Sequence, residues 1–223
     1  MRILVIAPHP DDEILGCGGT IAKKAAQGAV VTVCIVTKGY PPLHDPSVIS
    51  KGTDEDLQAN EILGTKQVIR LDFPANGLES MEQHELNDSL KEVITEIEPD
   101  EVYIPFSGDI HIDHKLVAQA AMVALRPKYQ HGQRVVRRIL SYEVLSETGW
   151  DLNRAGNIFV PNVFEDIHDT IQTKMVAAGA MASQIPMDHN ARSVEAIKTL
   201  AMYRGNQAGV NYAEAFMLER EVG

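Results

Sequence analysis

An unbroken apolar run, Ile3-Leu4-Val5-Ile6, opens the chain, and stretches rich in apolar residues return at Val30 to Val36, Val68 to Leu71, Glu101 to Pro105 and Ile139 to Leu145. Apolar runs without alternation predict strands covered on both faces, as in a parallel sheet. Between them the apolar positions fall at helical spacing. Residues 14–27 put Ile14, Ile21, Ala22 and Ala25 near one face, with Gly28 where a helix C-terminus prefers glycine. Residues 54–63 form a second predicted helix ending at Gly64, and residues 85–97 a third, with Leu86, Leu90, Val93 and Ile97 on one face and Pro99 as the stop. Further helices are expected over 113–125, 166–181 and 193–203. Residues 146–165 are mixed polar positions around a short apolar stretch, Ile158-Phe159-Val160. The alternation of strand and helix predicts an α/β fold: a doubly wound, mostly parallel, Rossmann-like sheet with helices on both faces. No repeat, low-complexity run or linker divides it, so one domain over residues 1–223 is expected.

Composition narrows the function. An apolar fraction of 44% and a charged fraction of 23% are those of an ordinary globular protein. Thirty-one acidic against twenty basic residues give a formal net charge of −11, which repels a phosphate backbone and argues against nucleic acid as a partner. A metal or local cation in one cleft can still dominate the field there. The apolar run at the N-terminus is too short for a signal peptide or a membrane span, so a cytoplasmic protein is expected. Cys17 and Cys34 fall inside predicted elements and read as buried small apolar residues rather than a disulfide framework.

The candidate chemistry sits in two loops. After the first strand comes Pro8-His9-Pro10-Asp11-Asp12-Glu13, and after the 101–105 strand comes His111-Ile112-Asp113-His114. In open α/β sheets ligands bind in the crevice beyond the carboxyl ends of the strands, where both loops are expected. Imidazole and carboxylate together suit zinc, whose catalytic sites use three protein ligands and keep one position open. Pro10 stiffens the first loop. Taken singly, Asp12 or Asp113 reads equally well as a helix N-cap, and a lone loop histidine is more often a solvated residue than a ligand. Two His/Asp clusters at the ends of strands in one sheet are harder to explain that way. Gly16, Gly18 and Gly19 do not have the G-x-G-x-x-G spacing of a dinucleotide site and instead allow the first helix to pack closely. No G-x-S-x-G elbow is present.

On these two motifs the sequence resembles the LmbE-like, or PIG-L, family of zinc-dependent N-acetylglucosaminyl deacetylases. Gly16 with Gly18-Gly19-Thr20, Ala59 with Leu63-Gly64, Gly108-Asp109, Arg126-Pro127 and Tyr212 to Phe216 extend the likeness over nearly the whole chain. The resemblance implies that His9, Asp12 and His114 bind one Zn2+ per chain, for which other divalent metals can substitute. It implies Asp11 as general base and His111 as oxyanion stabiliser, oriented by Asp113, whose carboxylate is expected to favour the protonated imidazole. It also implies a small amino-sugar substrate, hydrolysed to acetate and a free amine, and a tendency to form homo-oligomers. One position departs from the family's pattern: Gly52 stands where an arginine is common, with Lys51 beside it. The sequence leaves two other readings open. One is a zinc amidase acting on another acylated amine, such as a thiol-cofactor conjugate. The other is a nucleotide-binding or regulatory module without catalysis. Tyr40 to Pro46, Asn76-Gly77, Ser146 to Asn153 and Arg204 to Gln207 are the candidate rim loops.

Overall fold

In the computed structural model, which describes residues 1–127, 135–152, 155–185 and 190–223, β1 (Arg2–Ala7) runs through the middle of a seven-stranded sheet. Its neighbours are β2 (Val30–Lys38) on one side and β4 (Glu101–Pro105) on the other, both parallel to it. Beyond β2 lies β3 (Gln67–Pro74), and beyond β4 lies β5 (Arg138–Tyr142), again parallel. The chain thus winds outward from β1 to β3, returns to the centre, and winds the other way from β4. That reversal makes the carboxyl ends of β1 and β4 the topological switch point, where the strand-end loops diverge and leave a crevice.

Alternate residues of β1 feed two cores, as pleating requires. Ile3, Val5 and Ala7 pack with α1 (Asp12–Ala26), α2 (Pro46–Leu63), α5 (Ile171–Ala180) and α6 (Val194–Ala208). Leu4 and Ile6 pack on the opposite face with α3 (Gln83–Ile97) and α4 (Ile112–Ala124). Cys17 lies in the first core and Cys34 in the second, both buried and free. The doubly wound α/β arrangement expected from the apolar runs is therefore present.

Four details differ from the sequence reading. Helix α2 begins at Pro46, not at residue 54; Asp45 caps it by accepting from the Ser47 amide at 2.8 Å, and Pro46 sits at its first position, where a missing N–H costs nothing. Two strands, β6 (Val163–Asp166) and β7 (Ala213–Glu221), were not anticipated. They complete the sheet in antiparallel pairing, β7 lying between β5 and β6. The charges of β7 hid it: Glu214 is buried only because Lys174 meets it at 2.6 Å and the Gly19 and Thr20 amides donate to it. Asp166 ends β6, so α5 starts at Ile171, five residues later than expected. Strand β5 ends at Tyr142, before the predicted Leu145.

The glycines of α1 are packing devices. A Cβ on Gly16 would lie 2.3 Å from the Tyr142 ring, and one on Gly19 would lie 2.7 to 2.9 Å from Ile167. Gly179, exposed in α5, would meet nothing within 4 Å. Gly16→Ala is therefore expected to destabilise by about 1–3 kcal/mol through overpacking, despite the better helix propensity of alanine. Gly179→Ala should instead stabilise by roughly 0.5–1 kcal/mol. Urea unfolding of the two variants checks both signs.

Candidate functional site

The loops leaving β1 and β4 meet at one carboxylate oxygen. Asp12, the first residue of α1, presents Oδ2 to His9 Nδ1 at 3.2 Å and to His114 Nε2 at 3.2 Å, while the His9 amide donates to the same atom at 2.9 Å. Asp12 is thus no simple helix cap, and its place at the positive end of α1 favours the charged form. The rings of His9 and His114 have centroids 5.3 Å apart, and His111 stands 4.5 Å from the first and 5.5 Å from the second. Two loops about a hundred residues apart in sequence therefore close on one point.

Each of the two ligand-type imidazoles is held from behind. His9 Nε2 meets Asp113 Oδ2 at 3.0 Å, and His114 Nδ1 meets Asp109 Oδ2 at 2.8 Å. Carboxylates in this position fix the tautomer and the ring angle of metal-binding histidines. Asp109 is in turn held by Thr148, whose hydroxyl donates to Oδ1 at 2.5 Å and accepts from the Val144 amide at 2.8 Å. Asp113 also accepts from the Asn76 amide at 2.8 Å.

Asp113 orients His111 through its backbone. Its amide donates to His111 Nδ1 at 3.1 Å, making His111 the N-cap of α4, whereas its carboxylate lies 4.0 Å from that ring nitrogen and pairs with His9. A ring whose Nδ1 accepts carries its remaining proton on Nε2. Burial, together with the neighbouring His9, pushes the His111 pKa down to about 4, so the ring is neutral. This differs from the protonated ring that a carboxylate partner for His111 would favour.

Asp11 precedes the helix with φ 120° and ψ −25°, a backbone that non-glycine residues rarely adopt. The strain turns its carboxylate toward the same crevice. Oδ2 pairs with Arg192, and Oδ1 is buried without a hydrogen-bond partner among the described residues. Its amide is held by Glu13 at 3.2 Å. Burial raises the Asp11 pKa to about 7 against the opposing pull of Arg192.

The remaining titrations share one logic. Burial works to lower His9 and His114, but Asp113 and Asp12 outweigh it at His9, which rises to about 9, and Asp12 with Asp109 does so at His114, which rises to about 10. Asp12 falls well below its usual value despite burial, because both imidazoles face it. Carboxylates so arranged call for positive charge at the centre. His9 Nδ1, Asp12 Oδ2 and His114 Nε2 supply two nitrogens and an oxygen within 4.8 Å of one another, a set that fits a divalent metal such as zinc. A second trio, His9, His111 and Asp113, also converges, but its atoms are already engaged in the hydrogen bonds described.

The cavity over this centre has a volume of about 290 Å³ and extends past Thr37, Lys38, Gly39, His44, Gly52, Arg70, Asp72 and Asn76. Of the expected rim, His44, Asn76 and Glu147 take part, whereas residues 204–207 lie inside α6, where Arg204 is committed to Glu143 at 2.6 Å. Asn153 falls outside the described residues. Gly52 lines the cavity, but Lys51 does not replace the arginine absent there: its side chain is 65% exposed and meets Glu55 at 3.6 Å. Arg70, Arg192 and Thr148 carried no local motif in the sequence.

Residues 4–125 match the PIG-L family, described as GlcNAc-PI de-N-acetylase. The diacetylchitobiose deacetylase of Thermococcus kodakarensis is 29% identical over 96% of this chain and 81% of its own length. The uncharacterised deacetylase YaiS of Escherichia coli is 31% identical over 79% of this chain and 87% of its own. Among solved structures, the conserved protein TT1542 of Thermus thermophilus superposes with a TM-score of 0.78 at 30% identity, covering 99% of this chain and 95% of that one.

In the metal-free protein, carboxyl NMR should find Asp11 titrating near pH 7. Because Arg192 opposes the upward shift, Arg192→Met should move that midpoint higher; an unchanged or lower midpoint would contradict the pairing.

Proposed function

The chain belongs to the PIG-L family, and from that membership we propose that it is a zinc-dependent hydrolase that removes the acetyl group from the nitrogen of an N-acetylglucosamine-type sugar. We assign the reaction to one catalytic domain spanning residues 1–223, acting in the cytoplasm. Among the described residues no helix is long and apolar enough to cross a membrane. The observation that carries the reading is the convergence of His9, Asp12 and His114 with the strained, half-paired carboxylate of Asp11 beside them.

His9 Nδ1, Asp12 Oδ2 and His114 Nε2 would hold the metal, with Asp113 and Asp109 fixing the two rings. Zinc, when bound, supplies a Lewis acid that polarises a carbonyl oxygen and acidifies water. The chain's own groups do the rest. Asp11, adjacent to a ligand and with Oδ1 free of partners among the described residues, accepts a proton from the attacking water and returns it to the leaving nitrogen. The burial that raises its pKa in the metal-free protein makes it a stronger base than a solvated carboxylate. Arg192 fixes its other oxygen. His111, which lines the cavity and whose Nε2 carries the ring's proton, serves as a neutral donor for the charge that develops on the acyl oxygen. Donors of this kind contribute roughly 3–4 kcal/mol to lowering a barrier.

Separation of metal binding from turnover tests the roles. His114→Ala and Asp12→Ala should lose zinc by elemental analysis. Asp11→Asn should keep zinc and lose about 10²–10⁴ in kcat, and His111→Ala should keep zinc and lose about 10²–10³. Equal zinc loss in the His111 and His114 variants would overturn the assignment, and so would failure of the zinc-loaded protein to release acetate from any N-acetylglucosaminide.

A further inference from the structure

We infer that the sugar this site takes is an uncharged N-acylated amino-sugar glycoside, gripped through its hydroxyls by ion-paired side chains, and not an amino sugar carrying a phosphate or carboxylate. The inference rests on the N-deacetylase reading above and narrows it.

Among the described residues, the lysine and arginine side chains that line the cavity are Lys38, Arg70 and Arg192, and each is matched by a carboxylate. Arg192 is paired with Asp11. Arg70 is paired with Asp56, which is fully buried and anchored through its other oxygen by Asn60 at 3.0 Å. Lys38 has Asp72 at 3.8 Å. His44 is engaged at Nδ1, which accepts from the Tyr40 amide at 3.3 Å. Glu147 adds one more carboxylate to the wall. Charge brought by a metal is met by Asp12, with Asp113 and Asp109 behind the two imidazoles.

An anionic substituent entering this wall would lose its hydration and find cations already engaged, which makes desolvation costly with little Coulombic return. The formal net charge of −11 adds long-range repulsion. A hydroxyl differs because it both donates and accepts. A carboxylate beside a guanidinium or ammonium offers an acceptor and a donor together, which suits the neighbouring hydroxyls of a pyranose. The volume of about 290 Å³ is at the lower end for small-molecule pockets, roughly 300–1,000 Å³, so one ring is enclosed and the rest of a glycoside stays outside.

The test compares kcat/KM of the zinc-loaded protein on methyl N-acetyl-β-D-glucosaminide and N,N′-diacetylchitobiose with that on the 1-phosphate and 6-phosphate of N-acetylglucosamine. The neutral pair is expected to exceed the phosphates by tenfold or more, with little dependence on salt. Equal or faster turnover of a phosphate overturns this inference alone; no turnover of any of the four overturns the N-deacetylase reading beneath it. Asp72→Asn supplies a second arm. Asp72 has φ 56°, a conformation asparagine tolerates, so the fold should be kept. Freeing Lys38 should raise the phosphate-to-neutral ratio by about two- to fivefold, the scale of an exposed ion pair. An unchanged or lower ratio would overturn the ion-pair account.

Discussion

One oxygen ties the molecule together at its functional end. Asp12 Oδ2 receives the His9 amide and faces both His9 Nδ1 and His114 Nε2. It can do so only because β1 and β4 are neighbours in the sheet while their loops are remote in sequence. Winding outward from the centre in both directions brings these two strand ends together, and everything local follows from that adjacency. The helices that begin there, α1 and α4, bring positive N-terminal ends to the same crevice, where carboxylates are stabilised. With Asp12, Asp109 and Asp113 around two imidazoles, the metal-free protein keeps balance by holding protons on His9 and His114. A divalent cation would displace those protons, so metal binding and proton release are linked here.

The packing that supports this geometry is unforgiving at a few positions. Helix α1 must lie close enough to the sheet for Asp12 to reach His114, and Gly16 and Gly19 are where that closeness is set, against Tyr142 and Ile167. Tyr142 also donates its hydroxyl to the Ile6 carbonyl at 2.8 Å, one residue before β1 ends. Lys174 and Glu214 clamp the outer side of the same helix through the Leu15 carbonyl and the Gly19 amide. The buried ion pair is costly by itself, but its hydrogen bonds to backbone fix the height of α1 over the sheet.

What could be read from sequence followed from how each signal is encoded. The parallel strands were visible because burial on both faces demands an unbroken apolar run, as in Ile3 to Ile6. Strand β7 escaped because Glu214, Glu219, Arg220 and Glu221 interrupt the pattern, and only a tertiary partner, Lys174, makes the first of them compatible with burial. The start of α2 escaped because residues 46–53 include Ser, Gly and Thr, weak helix formers held by a cap and by packing. At the site, the six candidate residues were legible because they cluster in two short motifs. Arg192 was not, since its guanidinium acts through Asp11, 181 residues away. Thr148 likewise acts through Asp109 and leaves no local trace.

The division of work within Asp113 shows how little chain is needed to couple the two halves of the centre. Its carboxylate fixes His9, from the β1 loop, and its amide fixes the tautomer of His111, from its own loop. The same carboxylate accepts the Asn76 amide, just past the end of β3. Three loops are thereby registered to one residue at the first turn of α4. Asp109, a few residues earlier on the same segment, does the equivalent for His114. The β4–α4 connection thus positions both imidazoles nearest Asp12, one directly and one across the crevice, while the β1 loop contributes the strained Asp11. A segment that holds the imidazoles from behind can set their spacing before any ion arrives, which would lower the ordering cost of binding one.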